Sequence, residues 1–399
     1  MKSPFEPFQL AGVRLRNRVI KAATFEGMTK GASVSEALVQ HHRALARGGV
    51  AMTTVAYCAV SRDGRTFADQ LYMRPDEVPR LRALTDAVHR EGAAASLQLG
   101  HAGGFSSNRE LERRRPSGPS RGLNLYGALA GLPLIDPMSH DDIDEVTRQF
   151  VDAARLAREA GFDAVELHLG HGYLLSQFLS PSTNRRRDAY GGALGRRARF
   201  PLAVVERVRA ALPPELAVLA KVNLRDGYPG GLELDESVQV ARWLEGRGAD
   251  ALVLSGGFVS RDPFYLFRGE APLAAMIAVE PRLPVKIALS LFGPRVVRAH
   301  PFEPMYFLPL AREVRRAVRM PLVLLGGITA LAHLHTAREE GFELAAMARA
   351  LIHDPELIAK FAAGSAQESG CVPCNRCVAE MEREGGVRCV RNLSPRPPH

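Results

Sequence analysis

Eight short apolar runs, each of strand length, alternate with longer amphipathic stretches between residue 18 and about residue 350, and this alternation limits the chain to very few folds. The runs are Val19–Ala23, Ala51–Ala56, Ala94–Leu99, Ala164–Leu167, Leu216–Val222, Ala251–Leu254, Leu322–Leu325 and Leu344–Ala348. Most are flanked by Gly, as in RGGVAMTTVAY and GRGADALVLSGG, where a helix ends and a buried strand follows. Repeated strand–helix units build a parallel sheet, and eight of them predict a closed (β/α)8 TIM barrel. The predicted organisation is an α/β barrel over residues 1–365 with a short cysteine-rich extension over 366–399.

The 399 residues are 46% hydrophobic and 24% charged, which fits a soluble globular protein with a sizeable core and excludes a disordered chain. The net charge of +9 comes from 52 Lys and Arg, many at helical spacing, as at Arg312, Arg315, Arg316 and Arg319. No aromatics are interleaved with them, so they read as solvated helix faces and not as a nucleic-acid surface. The start MKSPFEPFQL has no apolar signal core, and no run reaches membrane-spanning length. The expectation is a cytoplasmic enzyme acting on a small molecule, with no nucleic-acid or membrane partner and with a homo-oligomer left open.

Barrel enzymes place their chemistry at the C-terminal strand ends. The polar residues there are Thr24 after the first run, Gln98 and His101 at the third, His168 and His171 at the fourth, Lys221 and Asn223 at the fifth, Ser255 at the sixth, Gly326–Gly327 at the seventh and Arg349 at the eighth. Two stretches break the alternation: 102–140, rich in Gly, Ser, Pro and Arg, and 258–305, rich in aromatics and Pro. Insertions at this face become lids or substrate walls, with a plain structural crossover as the alternative. Tyr265, Phe267 and Arg268 of the second insertion are the candidates to line the substrate pocket, with an aromatic lid that only excludes water as the alternative.

Gly326 and Gly327, followed by Ala348 and Arg349 one unit later, suit a phosphate: glycine backbone N–H groups approach it closely, and a guanidinium binds it in two-pronged fashion. Two residues separate His168 from His171, so two imidazoles can converge on one oxygen, with Tyr173 next to donate a proton. No carboxylate nearby completes a metal set around the two histidines. Lys221 has a competing reading as a Schiff-base nucleophile, which would make the chain a non-redox lyase. Cys371, Cys374 and Cys377 are each two residues apart and Cys389 follows after eleven more. That spacing suits a [4Fe-4S] cluster, with a four-cysteine zinc site or no metal as the alternatives.

The segments NRVIKAA, LQLGHAGG (97–104), HLGHGYLLSQFLSPSTNRRRDAYGG (168–192), DGYPGG (226–231) and PLVLLGGI (321–328) resemble, in order and spacing, the old yellow enzyme and NADH:flavin oxidoreductase family. The resemblance implies FMN across the barrel mouth, reduced by NAD(P)H and reoxidised by an alkene conjugated to an electron-withdrawing group. It implies that Gln98 binds the flavin pyrimidine ring, with Ala23 and Thr24 beside the flavin. Lys221 stands as the cation near flavin N1 and O2. Gly326, Gly327, Ala348 and Arg349 hold the phosphate, His168 and His171 take the substrate oxygen, and Tyr173 is the proton donor. The cysteine tail resembles the segment that carries an electron-relay cluster in larger relatives reducing 2,4-dienoyl-CoA or oxidising trimethylamine. That resemblance implies an alternative, oxidative role with electrons leaving to a partner protein. One position departs from the family: by counting, Phe25 falls where a hydroxyl or thiol usually sits beside flavin O4.

Overall fold

The computed structural model describes residues 2–392 and shows eight parallel strands closed into a barrel. They are β1 (Val19–Phe25), β2 (Met52–Ala59), β3 (Ala94–Gly100), β4 (Ala164–Leu169), β5 (Ala217–Asn223), β6 (Ala251–Ser255), β7 (Leu322–Leu325) and β8 (Leu344–Met347). Each pairs with the next, and β8 closes on β1. All eight apolar runs therefore became barrel strands. Among the outer helices, α1 (Glu36–Arg47), α2 (Val78–Arg90), α3 (His140–Glu159), α4 (Arg199–Ala211) and α5 (Leu234–Gly246) follow the first five strands in turn. α6 (Leu308–Ala317) and α7 (Leu331–Glu339) follow β6 and β7.

Side chains alternate across a strand, so each barrel strand divides its residues between two cores. Ala94, Ala164, Leu219, Val253 and Val323 fill the lower interior, where a hairpin of Phe8–Leu10 and Val13–Leu15 adds Leu10, Val13 and Leu15 as a floor. Leu97, Val165, Leu167, Val218 and Leu252 face the helices in the larger outer core. With the floor sealed by apolar groups, the inward polar residues gather at the opposite, C-terminal end.

The 102–140 insertion forms a small three-stranded sheet. The 258–305 insertion supplies, besides its aromatics, two helices, Leu273–Val279 and Leu283–Val296, whose Leu283, Ile287 and Leu291 are exposed. The cysteine tail folds back over the mouth: Glu270 N–H donates to Pro373 O, and Val387 N–H to Glu26 O. Among the described residues no helix is long and apolar enough to cross a membrane.

Candidate active site

Register sets the ring of polar groups at the mouth. β3 and β4 pair Gln98 with Glu166, β4 and β5 pair His168 with Lys221, and β5 and β6 pair Asn223 with Ser255. All six are buried. Gln98 Nε2 donates to Glu166 Oε1 at 2.6 Å, and Lys221 Nζ lies 2.8 Å from the same oxygen. Glu166 thus fixes both groups expected at the flavin ring. The ion pair also makes Lys221 a held cation and not a free amine nucleophile, so nothing in the geometry favours the Schiff-base alternative.

The two histidines do not both point free nitrogens at one acceptor. His171 Nδ1 lies 3.0 Å from His168 Nε2, and His171 Nε2 lies 2.7 Å from Ser255 Oγ. His168 Nδ1 is buried and without a partner. Burial, with the charge of Lys221 adding to it, pushes His171 down to about 3, and burial likewise holds His168 well below the usual imidazole range. Both rings are therefore neutral, and a neutral ring has one N–H. Two orderings satisfy the chain: with Ser255 O–H donating to His171 Nε2 and His171 Nδ1–H to His168 Nε2, His168 keeps Nδ1–H as a free donor, and with both bonds reversed His168 Nδ1 is left as an acceptor. The two rings expected to share one acceptor are here bonded to each other, with His168 Nδ1 the ring nitrogen left over among the described residues.

The turn that makes this possible is tight. His171 has φ +60 and its N–H donates to Asn223 Oδ1 at 2.9 Å. A non-glycine residue in the left-handed region costs of order 1 kcal/mol and persists only where its surroundings hold it. Gly172 follows at φ +82, where an added Cβ would sit 2.5 Å from the Phe258 ring.

Tyr173 packs against His168, with ring centroids 4.5 Å apart, and against Tyr57 at 5.0 Å. Burial pushes its phenol well above the usual range, so it stays protonated. Tyr57, which sequence reasoning missed, donates from its own hydroxyl to Thr66 Oγ1 at 2.8 Å. Phe25 lies in the same cluster, edge-on to Tyr57 and Phe67, while the buried Thr24 hydroxyl has no partner. His101 serves the loop: its Nδ1 accepts from Gly103 N–H at 2.9 Å, and burial pushes it down to about 4.

At the far side of the mouth, Gly326 and Gly327 have φ +104 and +73, and Tyr306 covers both. Arg349 donates to the carbonyls of Arg268, at 2.9 Å, and Phe267, and to Asn375 Oδ1 of the cysteine loop. Arg268 stacks between Tyr265 and Tyr306, its Cζ 5.1 and 5.2 Å from the ring centroids, and its Nε is buried without a partner. The structure therefore brings Tyr265 and Arg268 to the glycine-loop end of the site.

Cys371, Cys374, Cys377 and Cys389 lie close enough to act on one another: burial pushes the Cys377 thiol up to about 12, Arg349 opposes, and the other three thiols add to the rise. His353 Nδ1 lies 3.3 Å from Cys389 Sγ. Among the described residues no group of three or more His, Cys, Asp or Glu converges as a metal-ligand set. A surface recess of about 500 Å3 lies beside Pro119 and Arg186, and one of about 460 Å3 beside Arg47 and Asp354 is lined in part by His353.

The chain belongs to the NADH:flavin oxidoreductase / NADH oxidase family, whose model matches residues 3–259. It is therefore a flavin-dependent oxidoreductase. It is 47% identical over 391 residues to a 4,4'-dithiodibutanoate disulfide reductase of Rhodococcus erythropolis, covering 97% of this chain and 94% of that protein. It is 30% identical to a metal reductase of Desulforamulus reducens over 97% of this chain, and spans 53% of that longer relative. Among solved structures, the 6-hydroxypseudooxynicotine amine oxidase of Pseudomonas geniculata superposes with a TM-score of 0.80 at 23% identity, covering 97% of this chain and 53% of that one, a likeness of fold.

Proposed function

We propose that the chain reduces an activated C=C bond, as in an enone, with electrons from NAD(P)H. The observation that carries this reading is the Ser255–His171–His168 chain, which ends in a buried nitrogen without a partner beside Tyr173. FMN supplies, when bound, the hydride that it takes from the nicotinamide. The residues present fit it. Gln98 and Lys221 stand at the ring end, Ala23 and Thr24 beside it, and Gly326, Gly327, Ala348 and Arg349 at the phosphate end, where Arg349 has no carboxylate partner among the described residues.

The acceptor oxygen takes its hydrogen bond from His168 Nδ1–H, which polarises the alkene and carries the developing negative charge. His171 and Ser255 hold that tautomer. Tyr173 delivers the proton to the carbon alpha to the acceptor group, and burial protects it from ionising beforehand. Replacing Tyr173→Phe tests this: stopped-flow reoxidation by the enone slows by about 10²- to 10⁴-fold while flavin reduction by NAD(P)H is unchanged. If neither half-reaction slows, the assignment of Tyr173 is wrong.

The disulfide-reductase relative favours a second acceptor, an S–S bond. Hydride and one proton then yield two thiols, with Tyr173 protonating a departing thiolate, and no oxygen for His168 is needed. Reoxidation of the reduced protein by 2-cyclohexenone and by 4,4'-dithiodibutanoate in parallel separates the two readings. His168→Ala slows the enone alone if the first is right.

The spacing of the four tail cysteines favours a [4Fe-4S] cluster, although among the described residues they do not converge as a ligand set. Anaerobic purification with iron and sulfide analysis tests this, and one zinc per chain with no iron would overturn it.

A further inference from the structure

A guanidinium keeps its charge even when half-buried, as Arg268 and Arg349 are, so its shielded N–H groups must find an anion or a set of oxygen atoms. Arg349 finds the Phe267 and Arg268 carbonyls and Asn375. Arg268 finds only ring faces, and no carboxylate pairs with either arginine among the described residues. The two guanidinium groups nonetheless share one neighbour. Tyr306 lies under Arg268, both charges pull its phenol down against the effect of burial, and its ring covers the glycine loop. A Cβ added at Gly326 or Gly327 would sit 2.8 or 2.9 Å from that ring. Any side chain on the loop is therefore excluded, and positive charge near it must arrive from elsewhere.

Arg268 is brought there from the 258–305 insertion and held at φ +50. Its carbonyl accepts from both Arg349 and Asn375, the latter at 3.1 Å, and Asn375 also donates to Glu270 O at 2.9 Å. The loop carrying Arg268 is thus clamped onto the loop carrying Arg349's partner. We propose that Arg268 is a second cation for the FMN phosphate, acting with Arg349 and the Gly326–Gly327 backbone. A phosphate monoester carries between one and two negative charges at neutral pH, and two guanidinium groups balance it where one would not. The inference rests on the flavin reading of the site, and it reassigns Arg268 from the substrate to the cofactor.

The test compares two probes that differ only in the phosphate. Flavin-stripped full-length protein is titrated with FMN and with riboflavin, reading quenching of flavin fluorescence. Arg268→Gln is expected to weaken FMN by about tenfold or more and to leave riboflavin unchanged, with Arg268→Lys recovering part of the loss. Unchanged FMN affinity in Arg268→Gln overturns the proposal, and a raised KM for an anionic acceptor alongside it would return Arg268 to the substrate. Equal losses for FMN and riboflavin also overturn it, because they trace to the packing of Tyr265 and Tyr306. Wild-type protein that binds neither flavin overturns the flavin reading itself, a result distinct from the others.

Discussion

The two ends of the barrel mouth are built differently. At the histidine end Gln98, Glu166, Lys221, His168 and Ser255 stand on strands, positioned by register and bonded to one another. At the glycine-loop end Arg268, Arg349 and Asn375 come from segments as far as 107 residues apart, and the cations have no carboxylate partner among the described residues. The first end is held by its own bonds; on the proposed reading the second is a socket that an anion completes. Preorganised donors on rigid elements suit a transition state, while loops with unpaired cations suit a tightly held, unreactive group.

The largest test of this contrast strikes the strand-borne end. Lys221→Met leaves Glu166 as an unpaired buried charge, and the expected loss is about 3–5 kcal/mol of unfolding free energy in urea. Lys221→Met combined with Glu166→Leu should regain most of it. If the single change costs less than about 1 kcal/mol, Glu166 is reached by water and the end is not preorganised.

A similar ceiling applies to acid. The unfolded chain protonates His171 near the usual imidazole value, whereas burial keeps the folded group neutral down to about 3. Between those two pH values the unfolded state binds a proton that the native state refuses, so stability is full above about pH 6.5 and falls as pH drops toward 3, by up to about 5 kcal/mol. Thermal melts across pH 4–7 should show the decline, and His171→Asn should flatten part of it while His168 retains the rest. An identical slope in both proteins would mean that His171 titrates as it does in water.

How much of this was legible in the sequence follows the same divide. Strand length and the alternation of side chains come from local chain geometry, so all eight strands and the inward positions of Gln98, His168 and Lys221 could be read directly. Glu166 could have been read too, since it precedes His168 by two residues on the same face. Tyr57 was hidden in a strand buried along its whole length. The meeting of Arg268, Arg349 and Asn375 depends on how three loops close, which no local period encodes. The mutual bond between His168 and His171 was missed because spacing shows that two rings are near, not which nitrogen each offers.

Asn375 offers an intermediate test at the loop-borne end. It is buried, has φ +55, donates to two carbonyls and accepts from Arg349. Asn375→Ala loses these bonds and strains the backbone, for an expected cost of about 1–3 kcal/mol. Hydrogen exchange should quicken in residues 266–270 and 371–377 and stay unchanged in β3 to β5. Asn375→Gly, which tolerates the backbone, should recover only the strain. Exchange that quickens equally at both ends would show that the mouth opens as one unit.

The smallest effect is expected where the strand-borne end relies on packing alone. Tyr57→Phe keeps the ring that packs on Phe25 and Tyr173 and removes only the hydroxyl bonded to Thr66. Its expected cost is about 1 kcal/mol, because Thr66 can turn its hydroxyl to another acceptor and the ring contacts survive. The phenol of Tyr173, relieved of a polar neighbour, should ionise no more readily than before, so the pH profile of acceptor reduction should keep its shape. A profile that shifts in Tyr57→Phe would mean that Tyr57 passes protons to Tyr173, and the strand-borne end would then be a conduit open to solvent through Thr66 and not a closed set of partners.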